Sequence, residues 1–352
     1  KPVVTSVSTP QNQSVVLRIK LPKGPYTVDK VCFVNRAKSS ETSHDASFTI
    51  KEHETFDRLT VRFDPNGLVF DGVFWDPYVC ITDDDGYEQQ LLCHTSDALR
   101  HSLFFRNPQV IIEDGNVFFP YTRKGKLAFT HREHDKYDSM LTKVKEWSAF
   151  GAYALMLPYW KRRHIWLSYE KYCFSAQDNG YHFFRYCMDE NPNNARDHVF
   201  YVIKKDAADY QNVKQYGRNV IDFMSLRHML YAMAAELYVS SDTKTHLYHW
   251  RSKQSVVRKV INKKKEFFLQ HGVMAMKRVD YLLGKKGTTP MTYFLTSSEA
   301  EQDIIVKNFG YARKAVPVLG LSRWDVLEDK STKGSPVILL MPTWRQWLEG
   351  VD

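Results

Sequence analysis

A short apolar run, Phe267-Phe268-Leu269, has the look of a buried strand, and it stops at His271-Gly272 with Lys277 and Arg278 close behind. An imidazole with an ordinary pKa of about 6.5 can take a proton from a hydroxyl at neutral pH. A glycine lets a ligand approach the backbone, and lysine or arginine suits phosphate oxygens. A lone histidine is more often structural. What sets His271 apart is its place at the carboxyl end of a strand, where an open α/β sheet receives its ligand. Three other stretches carry similar potential. Ser175 to Gly180 follows another strand-like run and precedes a helix, so Asp178 and Asn179 either cap that helix or help present its N–H groups to an anion. Ser240-Ser241-Asp242-Thr243 ends a further strand and offers the Ser240 and Ser241 hydroxyls. Pro342-Thr343-Trp344-Arg345 places Thr343 and Arg345 just past one more strand, where a guanidinium is either an ordinary surface arginine or suited to forked contacts with phosphate.

Two kinds of element must position these residues. From residue 1 to 133, short alternating runs such as Val15 to Ile19, Thr27 to Val34 and Leu59 to Phe63 are separated by polar turns. They predict an antiparallel β-sandwich of immunoglobulin-like size, an accessory domain for binding or scaffolding. Asp83-Asp84-Asp85-Gly86 is an acidic run, but its place between two strands predicts a hairpin turn and not a metal site. Over 134–160 the period becomes helical, with Pro158 ending a linker helix. From 161 to 334 strands and helices alternate: His164 to Tyr169, a helix over Asn179 to Met188, Val199 to Ile203, a helix capped by Ser225, Leu237 to Val239, Phe267 to Leu269, Tyr293 to Leu295, a helix near Ser298 to Phe309, and Val316 to Leu319. That alternation predicts a parallel, doubly wound Rossmann-like sheet. A strand over Val337 to Met341 opens a second lobe at 335–352 that is only begun.

Composition narrows the function. The chain has 352 residues, 43% of them apolar and 14% aromatic, enough for two or three cored domains. Its net charge of +9 favours an anionic partner, and twelve Lys/Arg fall between Lys244 and Lys286 against Glu266 and Asp280. The basic residues lie in no recognisable nucleic-acid-binding pattern, so nucleic acid is not expected. Five cysteines without CxxC pairs fit buried thiols in a reducing compartment, and no metal site or cofactor is expected. No apolar run approaches the ~20 residues of a membrane span. Dinucleotide, Walker and nucleophile-elbow signatures are absent from the sequence.

Taken in order, His164-Ile165-Trp166-Leu167, Ser175 to Phe184 (SAQDNGYHFF), Tyr201-Val202-Ile203, Leu237 to Ser241 (LYVSS), Leu269 to Lys277, Gly320 to Leu327 (GLSRWDVL) and Met341 to Arg345 (MPTWR) resemble the CDP-glycerol glycerophosphotransferase family, the teichoic acid and capsule polyol-phosphate transferases. The resemblance covers roughly residues 160 to 352. It implies a two-lobed glycosyltransferase B-type fold, with an acceptor-side lobe followed by a nucleotide (donor) lobe. The substrate it implies is CDP-glycerol or CDP-ribitol, whose polyol phosphate passes to a hydroxyl of a lipid-linked or polymeric acceptor with release of CMP. The histidine of the family's His-Gly motif matches His271 and is implied to be the base. Gly272, Lys277, Arg278, Asp178, Asn179, Ser240, Ser241, Thr343 and Arg345 are the expected substrate and phosphate contacts. Members often continue the motif with Thr-Pro-Leu-Lys, where this chain has Val273-Met274-Ala275-Met276-Lys277. The implied location is the cytoplasmic, anionic inner face of a bacterial membrane, held peripherally. The competing expectation is a non-catalytic module that docks on anionic polymer or membrane.

Overall fold

The computed structural model describes residues 1–36, 42–66, 74–106, 108–112, 115–249, 255–275, 278–330 and 338. Lys277, Thr343, Arg345, the strand expected over 337–341 and the second lobe expected to begin at 335 lie outside the described residues, Ile338 apart.

The N-terminal strands are β1 (Val3–Ser8), β2 (Val15–Pro22), β3 (Tyr26–Asn35), β4 (Ser43–Glu52), β5 (Phe56–Phe63), β6 (Phe74–Asp83), β7 (Glu88–Leu92), β8 (His94–Thr95), β9 (Val110–Ile111), β10 (Asn116–Arg123) and β11 (Lys126–Glu133). They form one sheet in the order β7-β6-β3-β4-β5-β2-β1-β8-β11-β10-β9, and β11 also pairs with β6 through Phe129 opposite Trp75. The eight strands from β6 to β11 in that order therefore close into a ring. The two stacked sheets expected from the sequence are a single sheet curled on itself, because inward and outward residues alternate in the same way in both architectures. Along β2, Val15, Leu17, Ile19 and Leu21 are buried while their neighbours are not. The interior is aromatic: Phe33 stacks on Phe63 and Phe118 on Phe129, with ring centroids 4.0 and 4.7 Å apart. Asp83 to Gly86 makes the β6–β7 turn, with Gly86 at φ +85° and its N–H on the Asp83 carbonyl.

A buried bidentate pair ties the end of β11 to the start of the helical segment: Arg132 donates to both Asp138 oxygens at 2.7 and 2.6 Å. Two helices come next, Met140–Leu155 and Leu157–Arg162. Pro158 sits in the first turn of the second and does not end a single run, as suits a residue lacking an N–H. Glu146 of the longer helix accepts from Tyr248 Oη and Ser255 Oγ at 2.7 and 2.5 Å, and Ala149 packs into the same core as Met229, Met233 and Tyr238.

The α/β sheet is wholly parallel, with β12 (Trp166–Tyr169), β13 (Val199–Ile203), β14 (Val220–Asp222), β15 (Leu237–Ser240), β16 (Lys265–Phe268) and β17 (Tyr293–Phe294) ordered β14-β13-β12-β15-β16-β17. In chain order that is 3-2-1-4-5-6, the doubly wound arrangement. The short β14 is too brief to show as an apolar run, and Val316 to Leu319 contributes only a bridge of Val318 to Thr296. Helices Asn179–Glu190 and Leu226–Ala234 lie on the sheet, the latter capped by Ser225 Oγ on the His228 N–H at 3.1 Å. Helix Glu299–Phe309 ends on Gly310 at φ +76°. Strand order reverses between β12 and β15, so the carboxyl ends of these two strands open the crevice where such sheets bind ligands.

Candidate active site

Three loops meet at that crevice. After β12 comes Glu170, fully buried, which accepts the N–H groups of Gln177 and Asp178 at 3.0 Å each and of Tyr181 at 2.6 Å. This carboxylate shapes the 175–180 loop. Burial pushes it up to about 7 against the pull of those three amides. Gly180 is needed at the contact, since a Cβ there would come within 3.1 Å of both Glu170 Oε1 and Ser168 Oγ. The loop delivers Asp178 as the N-cap of helix Asn179–Glu190, accepting the Asn179 N–H at 2.8 Å.

After β15, Ser240 Oγ donates to the Tyr169 carbonyl and accepts the Asp242 N–H, which stitches the two strands at the reversal point. Asp242 is thereby fixed, and its Oδ2 accepts the Lys171 N–H at 2.6 Å. Lys171, Tyr172 and Cys173 all adopt left-handed backbone, φ 39°, 56° and 62°, unusual for three successive non-glycine residues.

After β16, Gln270 turns the chain at φ 50° and is pinned: its Nε2 donates to the Leu295 carbonyl and to Glu301 Oε1, both at 2.9 Å. Asn179 Nδ2 donates to the Gln270 carbonyl at 2.7 Å. The next residue, His271, stands between the other two loops. Its Nδ1 lies 2.6 Å from Asp178 Oδ2 and its Nε2 3.1 Å from Asp242 Oδ1. The side chain remains 49% exposed, so a substrate can reach it.

Charge completes the arrangement. Arg323 Nη1 donates to Asp178 Oδ1 at 2.9 Å, and the Arg323 N–H donates to Asn179 Oδ1 at 3.1 Å. His246 Nδ1 sits 2.9 Å from Asp242 Oδ1, and its ring stacks on Tyr172 with centroids 3.8 Å apart. The hydrogen bonds to Asp178 and then Asp242 outweigh burial and raise His271 to about 10. Burial alone would raise both carboxyls, yet His271 and the Asn179 amide pull Asp178 down, and His246 with His271 holds Asp242 well below the usual carboxylate range. The site thus stores a proton on a carboxylate-flanked imidazole, with a cation beside it.

A sequence profile of the family described as CDP-Glycerol:Poly(glycerophosphate) glycerophosphotransferase matches residues 152–350. The chain belongs to this family. The match takes in the whole parallel sheet and leaves out the N-terminal barrel. Among curated relatives, Minor teichoic acid biosynthesis protein GgaB of Bacillus subtilis (strain 168) is 30% identical over 195 residues, 53% of this chain and 20% of that protein. The chain therefore matches about a fifth of that relative's length.

Within this glycerophosphotransferase sheet the expected residues fall into three groups. His271, Asp178 and Asn179 converge, although Asn179 is fully buried and braces Gln270 and Arg323. Gly272 adjoins them without a left-handed backbone; a Cβ there would meet Arg323 Nη2 at an ordinary 3.8 Å. Ser240 and Ser241 are buried at the reversal point, and the Ser240 hydroxyl is already taken by Tyr169 and Asp242. Arg278 is not drawn in: its side chain is 92% exposed and pairs with Asp280 at 3.6 Å. Part of the basic surplus is structural too, since Lys244 pairs with buried Glu266 and Arg258 donates to the Thr245, Tyr248 and His249 carbonyls. Sequence reasoning passes over Asp242, His246, Glu170 and Arg323. Asp242 follows β15 as His271 follows β16, so the strand-end argument applied evenly finds it. Arg323 reaches Asp178 from 145 residues away, and no local pattern announces that.

Proposed function

We propose that the crevice is the acceptor-activating half of a polyol-phosphate transferase site in teichoic acid synthesis. The single observation that carries this reading is His271 held between Asp178 and Asp242 at the strand-order reversal. Asp178 keeps the Nδ1 proton in place and turns Nε2 toward the crevice, as a carboxylate does for a catalytic imidazole. On acceptor entry the hydroxyl takes the place of Asp242 at Nε2, and the stored Nε2 proton leaves to solvent. The acceptor oxygen then attacks the polyol-bearing phosphorus of CDP-glycerol or CDP-ribitol. As the new O–P bond forms, the hydroxyl proton passes to Nε2, the P–O bond to the CMP phosphate breaks, and CMP leaves with that electron pair. Arg323, on the far side of Asp178, is a described cation beside this chemistry. Lys277, Thr343 and Arg345 are proposed partners for the phosphates, within a glycosyltransferase B-type pair of lobes whose second member binds the nucleotide.

The proposed setting is the anionic inner face of a bacterial membrane, beside a lipid-linked acceptor. Among the described residues no helix is long and apolar enough to cross a membrane. A module that merely docks on polymer has no use for an imidazole held at both nitrogens by carboxylates. CMP release from CDP-glycerol and from CDP-ribitol, with a prenyl-linked acceptor, tests the reading. Folded wild-type protein should release CMP from one donor and His271→Ala from neither; no release by the wild type from either donor would overturn it.

A further inference from the structure

At the same carboxyl edge of the sheet, toward β13 and β14, lies a cavity of about 210 Å³ that the transfer chemistry above leaves unused. Its walls include Tyr172 and Phe174 beyond β12, Lys204 beyond β13, Phe223 beyond β14, and His249 with Asp135. The Lys204 ammonium stands 3.3 Å from the Phe174 ring centroid and 5.2 Å from that of Phe223. It forms no ion pair with a carboxylate among the described residues; Asp206 is paired with Lys136 at 4.0 Å. Asp135 is engaged as well, its Oδ2 3.3 Å from His249 Nε2 and its Oδ1 accepting the Tyr137 N–H. A lysine packed on aromatic faces, with Asp135 and Asp206 acting on its charge but not in ion-pair contact, keeps an ammonium that can bind an anion. Burial also lowers the Lys204 pKa, which a bound anion would reverse.

We propose that this cavity is a second subsite that takes one phosphate-bearing polyol unit of the acceptor chain, its phosphate on Lys204 and its carbon skeleton against Tyr172, Phe174 and Phe223. Size favours such a unit. The cavity is smaller than the roughly 300–1,000 Å³ of pockets that enclose drug-sized ligands, which suits a small unit better than a whole nucleotide donor. Position favours the acceptor. Tyr172 both lines the cavity and stacks on His246, which contacts Asp242, which contacts His271. A chain seated here would direct its terminal hydroxyl along that wall to Nε2. The proposal rests on the polyol-phosphate reading of the His271 site and adds which part of the acceptor is gripped, and where.

The test has two arms. In the first, sn-glycerol 3-phosphate and inorganic phosphate are titrated into wild type, Lys204→Met and Lys204→Arg by calorimetry, with no donor present. Glycerol phosphate should bind more tightly than phosphate, Lys204→Met should weaken it about tenfold or more, and Lys204→Arg should recover most of the loss. Equal affinity for the two probes, or binding indifferent to Lys204→Met, overturns the subsite. In the second arm, Lys204→Met should raise the KM for acceptor about tenfold while the donor KM stays within about twofold. A shift confined to the donor KM overturns the assignment. A wild type that releases no CMP refutes the transferase reading, and the titration still judges the cavity. An active wild type whose acceptor KM ignores Lys204→Met refutes the cavity alone.

Discussion

Asp178→Asn is the sharpest single perturbation of the site. The substitution preserves shape and leaves an N-cap residue at the head of helix Asn179–Glu190, so the fold should survive. What it removes is the charge 2.6 Å from His271 Nδ1 and the partner of Arg323. Asp178 is the largest contributor to the rise of His271 from 6.5 to about 10. A tenfold change in proton affinity corresponds to about 1.4 kcal/mol. Because 49% of the histidine side chain is exposed, solvent screens the pair and its share falls to roughly 1–2 kcal/mol. The His271 pKa should therefore drop by about one, measurable by NMR titration of the ring. The larger effect is orientational. An asparagine amide can present N–H as readily as C=O to Nδ1, so the proton is no longer fixed there and Nε2 is no longer reserved for the acceptor. Loss of that tautomer control should lower kcat on the order of 10²- to 10⁴-fold with little change in donor KM, measured as CMP release. An Asp178→Asn enzyme with kcat within about threefold of wild type and an unshifted His271 pKa would refute the dyad.

Buried carboxylates elsewhere in the chain give two more outcomes. Glu170→Ala strips the acceptor from three backbone amides, and should destabilise the chain by about 3 kcal/mol in a denaturant melt while also lowering activity, since Asp178 loses its support; an unchanged melt would show that water replaces those bonds freely. Arg132→Met removes both guanidinium hydrogen bonds to the buried Asp138 carboxylate and should cost about 3–5 kcal/mol, whereas the double change Arg132→Met with Asp138→Leu should recover much of it.

Much of the lobe is legible in the sequence because its strands are short apolar runs, Val199–Ile203 above all, where every residue is buried. The helix cap at Ser225 is equally plain, since capping is a local interaction. The barrel is legible strand by strand but not as a barrel, because closure depends on β6 meeting β11 across about fifty residues. At the site, the strand-end position singles out His271, yet its meaning changes once its neighbours are known. Asp178, expected to contact substrate, holds the imidazole. Ser240, expected to face substrate, holds the sheet. Arg278, the expected phosphate ligand, faces solvent and pairs with its near neighbour Asp280. Sequence shows which residues stand at strand ends; only the folded chain shows which strand ends meet.

The central claim is that His271 must be free of its Nε2 proton to accept one from the acceptor hydroxyl, and the pH dependence of kcat/KM tests it most directly. This ratio reports the free enzyme, whose carboxylate-flanked histidine titrates with a pKa raised to about 10. Because the working form is deprotonated, kcat/KM for acceptor should climb with pH through the neutral range and level off on the alkaline side, and Asp178→Asn should move that limb to lower pH. A profile that is flat through the neutral range and falls above it would contradict the account, since the imidazolium would then be the form that works.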